Sequence, residues 1–159
     1  MLKDGTVFFT RKEEAAESPL AERIFKVNGV EGVFFGNDFI TVSKDEKENW
    51  EDLKPNLLAA ISDHYSSNQP IINSSSSVKT NTSETQNSND SDLVKQIKEL
   101  LDTRVRPSVA MDGGDIIYKD FKDGIVFLQM QGACSGCPSS TATLKMGIEN
   151  MLKHYVPEV

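Results

Sequence analysis

Ile125-Val126-Phe127-Leu128-Gln129-Met130-Gln131-Gly132-Ala133-Cys134-Ser135-Gly136-Cys137-Pro138 is the stretch on which the fold of this 159-residue chain turns. It opens on β-branched, aromatic and long apolar residues, the strongest strand signal in the sequence. It then passes two glycines and two cysteines and reaches a proline suited to the first position of a helix. Leu144, Ile148, Met151, Leu152 and Tyr155 follow at helical spacing on one stripe. Strand, cysteine loop and helix are therefore expected in that order, with Cys137 at the helix N-terminus. The free N–H groups and positive dipole end of a first turn favour a thiolate there. Gly136 allows a tight turn between the thiols, so both sulfurs are expected on one side and exposed.

Working outward, the same module begins near Asp92, which can cap a helix carrying Leu93, Ile97, Leu100 and Leu101. Arg106-Pro107 is expected to stop that helix. Asp112-Gly113-Gly114-Asp115 offers two carboxylates, too few for a calcium cage. Its glycines are read as permitting a positive-φ turn. Ile116-Ile117-Tyr118 and the turn Lys122-Asp123-Gly124 complete a hairpin with the strand above. The order is helix, hairpin, cysteine loop, helix.

Upstream, residues 66–91 are dominated by Ser, Asn and Thr and cannot bury enough surface to offset the entropy of ordering. They read as a flexible linker with a mean span of about 25–30 Å. Residues 1–65 form a second small unit. Thr6-Val7-Phe8-Phe9 is strand-like. Ser18-Pro19 supplies an N-cap and a first-turn proline, Leu20, Ile24 and Val27 follow at helical spacing, and Asn28-Gly29 ends the helix. Gly32 to Phe35 and Asp38 to Val42 flank Gly36-Asn37, read as a two-residue hairpin turn. Phe34, Phe35 and Phe39 are read as hairpin core, and Lys44 to Glu51 as a solvated charge run. Trp50, Leu53, Leu57, Ile61 and Tyr65 form a helical stripe that Pro55 starts or breaks. The fold class is α+β: two small α+β domains, residues 1–65 and 92–159, joined by the linker.

The charge balance narrows the partners. With 17 Lys and Arg against 24 Asp and Glu, the formal charge is −7, which argues against nucleic acid. No apolar run approaches the roughly 20 residues that span a bilayer. The start, Met1-Leu2-Lys3-Asp4-Gly5, has neither the apolar stretch of a signal peptide nor the Arg-rich amphipathic pattern of a transit peptide. A reducing compartment is thus expected, where a CxxC is metal-binding or catalytic more often than structural.

Cys134 and Cys137 are the only cysteines, and two thiols can form a disulfide, work as a redox dithiol or supply half of a four-thiolate metal site. Thioredoxin-like proteins share the strand–CxxC–helix layout. That fold needs a longer βαβ…ββα unit, and only one helix follows the cysteines here. The metal reading needs two more ligands. His64 and His154 are the other soft candidates, and each is read as packing or capping. Two copies giving two thiolates each would complete the site, so this reading predicts a ligand-bridged homodimer. A zinc-bridged interaction module satisfies the same count.

The second module, through Asp112-Gly113-Gly114-Asp115, Gly132-Ala133-Cys134-Ser135-Gly136-Cys137-Pro138-Ser139-Ser140 and Thr143-Leu144, resembles the C-terminal domain of the Nfu (NifU-like) iron–sulfur scaffold family. The first module resembles the Nfu N-terminal domain through Ser18-Pro19-Leu20-Ala21, Gly29-Val30, Val33-Phe34-Phe35-Gly36, Asp38-Phe39-Ile40-Thr41-Val42 and Trp50 to Pro55. Relatives carry a further strand ahead of Thr6, which the first module is expected to lack. They also continue past Val159 into a short last strand. The resemblance implies a non-enzymatic carrier with Cys134 and Cys137 as the metal ligands and no catalytic residue. Its cargo would be an iron–sulfur cluster, [4Fe–4S] favoured over [2Fe–2S], shared between two subunits. It also implies an upstream scaffold or donor, apo iron–sulfur client proteins, and residence in bacterial cytoplasm or, in a eukaryote, the mitochondrial matrix.

Overall fold

The computed structural model describes residues 5–73, 91–135 and 138–159. The chain forms two compact units, Met1–Thr80 and Asn81–Val159, each combining helices with antiparallel strands. The reading of residues 74–90 as a flexible tether falls outside the described residues.

The first unit is a three-stranded antiparallel sheet, β1 (Val7–Phe9), β2 (Val30–Phe35) and β3 (Ile40–Lys44), in the order β1-β2-β3. The pairing Val7↔Phe35, Phe8↔Phe34, Phe9↔Val33 sorts side chains by parity. Val7, Phe9, Val33 and Phe35 join one core with Leu20, Ala21, Ile24 and Phe25 of α1 (Pro19–Phe25). Each such fully buried side chain contributes roughly 1.5–3 kcal/mol. Phe8 and Phe34 meet edge-on, with ring centroids 6.0 Å apart. Ser18 caps α1 as expected, its Oγ accepting from the Ala21 N–H at 3.1 Å, and Gly29 takes φ +89° beyond the helix.

Four local expectations give way in the structure. The β2–β3 connection spans four residues, 36–39, instead of two, and the Gly36 N–H closes it on the Phe39 carbonyl at 3.0 Å. Phe39 thus leaves the strand, and its ring lies against Phe34 at 5.9 Å. Pro55 neither starts nor breaks α2 (Trp50–Ser66), because its ring replaces only one N–H on an exposed face near the N-terminus. The buried stripe of α2 runs through Leu53, Leu57 and His64, with Ile61 partly buried, while Trp50 and Tyr65 stay exposed. Residues 66–73, read from composition as the start of the linker, continue this unit. Ile71 and Ile72 pack on its core, Ser18 Oγ donates to the Ile71 carbonyl, and the Asn73 N–H donates to the Glu17 carbonyl at 3.0 Å.

The second unit opens with α3 (Asp92–Leu100), capped by Ser91 one residue earlier than expected, its Oγ accepting from the Val94 N–H. Arg106-Pro107 does not end the helical run. The backbone widens into a π-helical turn, Leu101–Val105, in which the Arg106 N–H donates to the Leu101 carbonyl, and then resumes as α4 (Arg106–Met111). Pro107 now falls in a fresh first turn, where a missing N–H costs little. The strands β4 (Gly114–Lys122) and β5 (Ile125–Gly132) pair antiparallel from Gly114↔Gly132 to Lys122↔Ile125, with a bulge between Tyr118 and Asp120. Asp123 (φ 52°) and Gly124 (φ 79°) make the two-residue turn. Pro138 opens α5 (Pro138–Tyr155) as expected, and Ile148, Leu152 and Val156 complete a core with Ile97, Leu101, Val105, Val109 and Ile116.

Candidate metal centre

The cysteine loop hangs from the open end of the β4–β5 hairpin. The Ala133 N–H donates to the Gly113 carbonyl at 3.1 Å, continuing the ladder for one bond past the last strand pair. Gly113 (φ 79°) and Gly132 (φ 65°) both take left-handed backbone there, which glycine adopts without strain. This bears out the positive-φ reading of the Asp112–Asp115 segment at Gly113. Ala133–Ser135 then form a 3-10 turn, and Ser135 Oγ donates to the Gly132 carbonyl at 2.8 Å.

Cys134 sits at the centre of that turn and is only 2% exposed, inside the core cluster with Ile97 and Ile116. The expectation of an exposed sulfur is corrected here. The cause is Gly114, where a Cβ would lie 2.8 Å from Cys134 Sγ and 2.8 Å from the Gln131 carbonyl oxygen. The absent side chain leaves the niche the thiol fills. Cys137, the second expected ligand, lies outside the described residues. The chain re-enters description at Pro138, the start of an 18-residue helix.

Beneath the loop sits a charged cluster that sequence reading missed. Arg106 Nε and Nη2 donate to Asp115 Oδ1 and Oδ2, each at 2.8 Å, and Nη1 donates to Asp102 Oδ1 at 3.2 Å. The Asp115 side chain is 4% exposed and that of Arg106 19%. Burial works against the guanidinium charge, but the hydrogen bonds and charges of Asp115 and Asp102 outweigh it and hold the Arg106 pKa above its usual value. One local signal was available, since Asp102 and Arg106 stand at i,i+4. Asp115 carried none, because its partner comes from another element.

His64 belongs to the first unit and is buried, as the packing reading expects, with neither ring nitrogen reaching a hydrogen-bond partner among the described residues. His154 is exposed on α5 with its ring edge-on to Tyr155 at 4.9 Å. Among the described residues no group of three or more His, Cys, Asp or Glu side chains could hold a metal ion. No helix among them is long and apolar enough to cross a membrane. A groove of about 750 Å³ runs along β5 and α5, lined by Ile125, Phe127, Ile148 and Leu152 among others, and does not include Cys134.

Comparison with known proteins agrees with this architecture. Residues 1–68 match the model of the "Scaffold protein Nfu/NifU N terminal" family, and residues 97–159 match the "NifU-like domain". A human protein named "NFU1 iron-sulfur cluster scaffold homolog, mitochondrial" is 49% identical over 160 residues, covering 100% of this chain and 61% of its own length. The Arabidopsis thaliana "NifU-like protein 4, mitochondrial" is 51% identical over 162 residues, covering 100% of this chain and 56% of its own. The solution NMR structure of a NifU-like protein from Saccharomyces cerevisiae is 27% identical, with a TM-score of 0.39 over 46% of this chain and 62% of that one. The chain thus spans 61% and 56% of the length of these two curated relatives. With one family model on each unit and about half of its residues shared with those relatives, the chain belongs to the Nfu (NifU-like) scaffold family.

Proposed function

We propose that this chain is an iron–sulfur cluster carrier in which Cys134 and Cys137 each donate a thiolate and two copies hold one cluster between them. The observation that carries this reading is the segment from Gly132 to Pro138, which brings two thiols between the end of β5 and the first turn of α5. Four-thiolate sites are the rule for such clusters, and this chain carries two cysteines. The printed names of the human and plant relatives, an iron–sulfur cluster scaffold homolog and a NifU-like protein, support the same cargo. Those names also support the mitochondrion over bacterial cytoplasm as the place of action.

The step performed is ligand exchange. Each iron–thiolate bond to this chain is replaced by a bond to a thiolate of the receiving apo-protein, with no net electron transfer and no catalytic residue. Holding the cargo by two bonds per subunit favours passing it on over keeping it. A donor scaffold lies upstream and apo iron–sulfur proteins downstream, and the family resemblance favours a [4Fe–4S] cluster over a [2Fe–2S] cluster. Because a single copy covers the Cys134 sulfur, loading requires the short 133–135 turn to move outward. The hydrogen bonds from the Ala133 N–H to the Gly113 carbonyl and from Ser135 Oγ to the Gly132 carbonyl are among those that such a movement would break.

Anaerobic reconstitution with iron and sulfide tests this. The expected product is a brown dimer with about four iron and four sulfide per dimer, and Cys134→Ser should prevent its formation. A colourless product, zinc without acid-labile sulfide in protein purified without oxygen, or normal loading of Cys134→Ser would each rule the reading out.

A further inference from the structure

We propose that Arg106 is a positioning residue for the cysteine loop, acting through Asp115 and the Gly113-Gly114 turn. The inference rests on the carrier reading for what the loop holds, but not for how the loop is held.

The geometry is a short chain of contacts. The guanidinium grips both oxygens of Asp115 in a fork, at 2.8 Å each, and spends its remaining arm on Asp102. Asp115 is the strand neighbour of Gly114 and stands opposite Gln131 in the register. Gly114 in turn bounds the niche of Cys134 Sγ, and the Gly113 carbonyl holds the Ala133 N–H. The fork therefore ties the π-helical turn and α4 to the floor on which the thiol rests. The π turn contributes as well. Its extra backbone residue resets the helical phase at Arg106, and such widened turns recur at functional sites.

A near-buried ion pair is weak evidence for stability, because well-packed apolar residues commonly stabilise as much or more. Apolar replacements cannot reproduce the orientation of a planar two-pronged contact. A lysine presents a point charge without the fork, so Arg106→Lys keeps the charge and loses the geometry. Loosening the fork should let the floor shift, uncover Cys134 and shorten the time a cluster stays bound.

The test uses the full chain in its cluster-free form and reads the rate at which iodoacetamide alkylates Cys134, followed by peptide mass spectrometry well below the melting temperature. Arg106→Lys should raise that rate about tenfold through more frequent local opening. Val156→Ala, which hollows the same core in a segment that carries neither partner of the fork, should lower the melting temperature and leave the alkylation rate unchanged. The double variant Arg106→Met/Asp115→Leu should recover thermal stability while Cys134 stays reactive. After reconstitution, Arg106→Lys should also lose its cluster faster to a chelator. Wild-type alkylation in Arg106→Lys, or restored protection in the double variant, would overturn the proposal and leave the pair a purely structural contact. If the wild-type protein takes up no cluster, the carrier reading fails, and the alkylation rates still decide the role of Arg106.

Discussion

Gly114 and Cys134 share one space: the sulfur occupies the room that a side chain at position 114 would need, 2.8 Å from where its Cβ would stand. The Gln131 carbonyl oxygen closes the other side of that room at the same distance, and a paired strand backbone yields less readily than a flexible side chain. Gly114→Ala should cost the second unit about 1–3 kcal/mol by overpacking and push the thiol out of its niche. Urea unfolding and the iron content after reconstitution would both fall. Unchanged values would show that the niche is more compliant than its geometry implies.

Ser18 works in two directions at once. Its buried hydroxyl accepts from the Ala21 N–H and donates to the Ile71 carbonyl, joining the start of α1 to the segment that follows α2. Ser18→Ala removes a helix cap worth about 1 kcal/mol and strands a carbonyl, which costs about 1–3 kcal/mol more. The urea midpoint of the first unit should fall with little change in slope. A variant within error of wild type would mean that the Ile71 contact carries no energy.

His64 makes the first unit sensitive to acid. Burial, and next the positive charge of Arg23, lower its pKa below the usual value near 6.5. The unfolded chain therefore binds the proton first. The stability that depends on a neutral His64 is complete above pH 6.5 and is lost as pH falls through that value toward the lower folded one. His64→Leu should remove this part of the pH dependence. Thermal melts at pH 7.5, 6.5 and 5.5 would show the slope in wild type and flatten it in the variant. Parallel curves would remove His64 from the account.

Asp123 and Gly124 lock the register of the β4–β5 hairpin through two consecutive positive-φ residues. Gly124→Ala should cost about 1–2 kcal/mol for the left-handed backbone, and its Cβ would also meet the Glu158 carbonyl oxygen at 3.0 Å. Hydrogen exchange should accelerate first at the turn end of β4 and β5. A uniform change across the second unit would point instead to global destabilisation.

Much of this fold was legible because it is written in short-range rules. The β-branched, aromatic and apolar run Ile125–Met130, the Asp123-Gly124 turn, the Ser18-Pro19 start and Pro138 at the head of α5 each depend on neighbours a few residues away. The misreadings share one cause. Pro55 and Pro107 look like helix breakers, yet one replaces a single exposed N–H and the other is absorbed by a π turn. Phe39 looks like a strand residue, but its ring is needed over Phe34. In each case the surrounding backbone or a neighbouring ring absorbed a single-residue preference of about 1–3 kcal/mol that the residue type alone had suggested would decide.

The same division holds at the candidate metal centre. Sequence alone determined the element order of both units, the Cys134-x-x-Cys137 spacing, the helix start that follows it and the supply of two thiols per chain. Only the tertiary structure decided that Cys134 is sheathed by Gly114, that Asp115 is paired with Arg106, and that His64 is buried without a partner among the described residues. Spacing along the chain sets which groups can meet within a turn or a hairpin. Burial and charge pairing depend on which surfaces the folded chain brings together, and no local pattern records that.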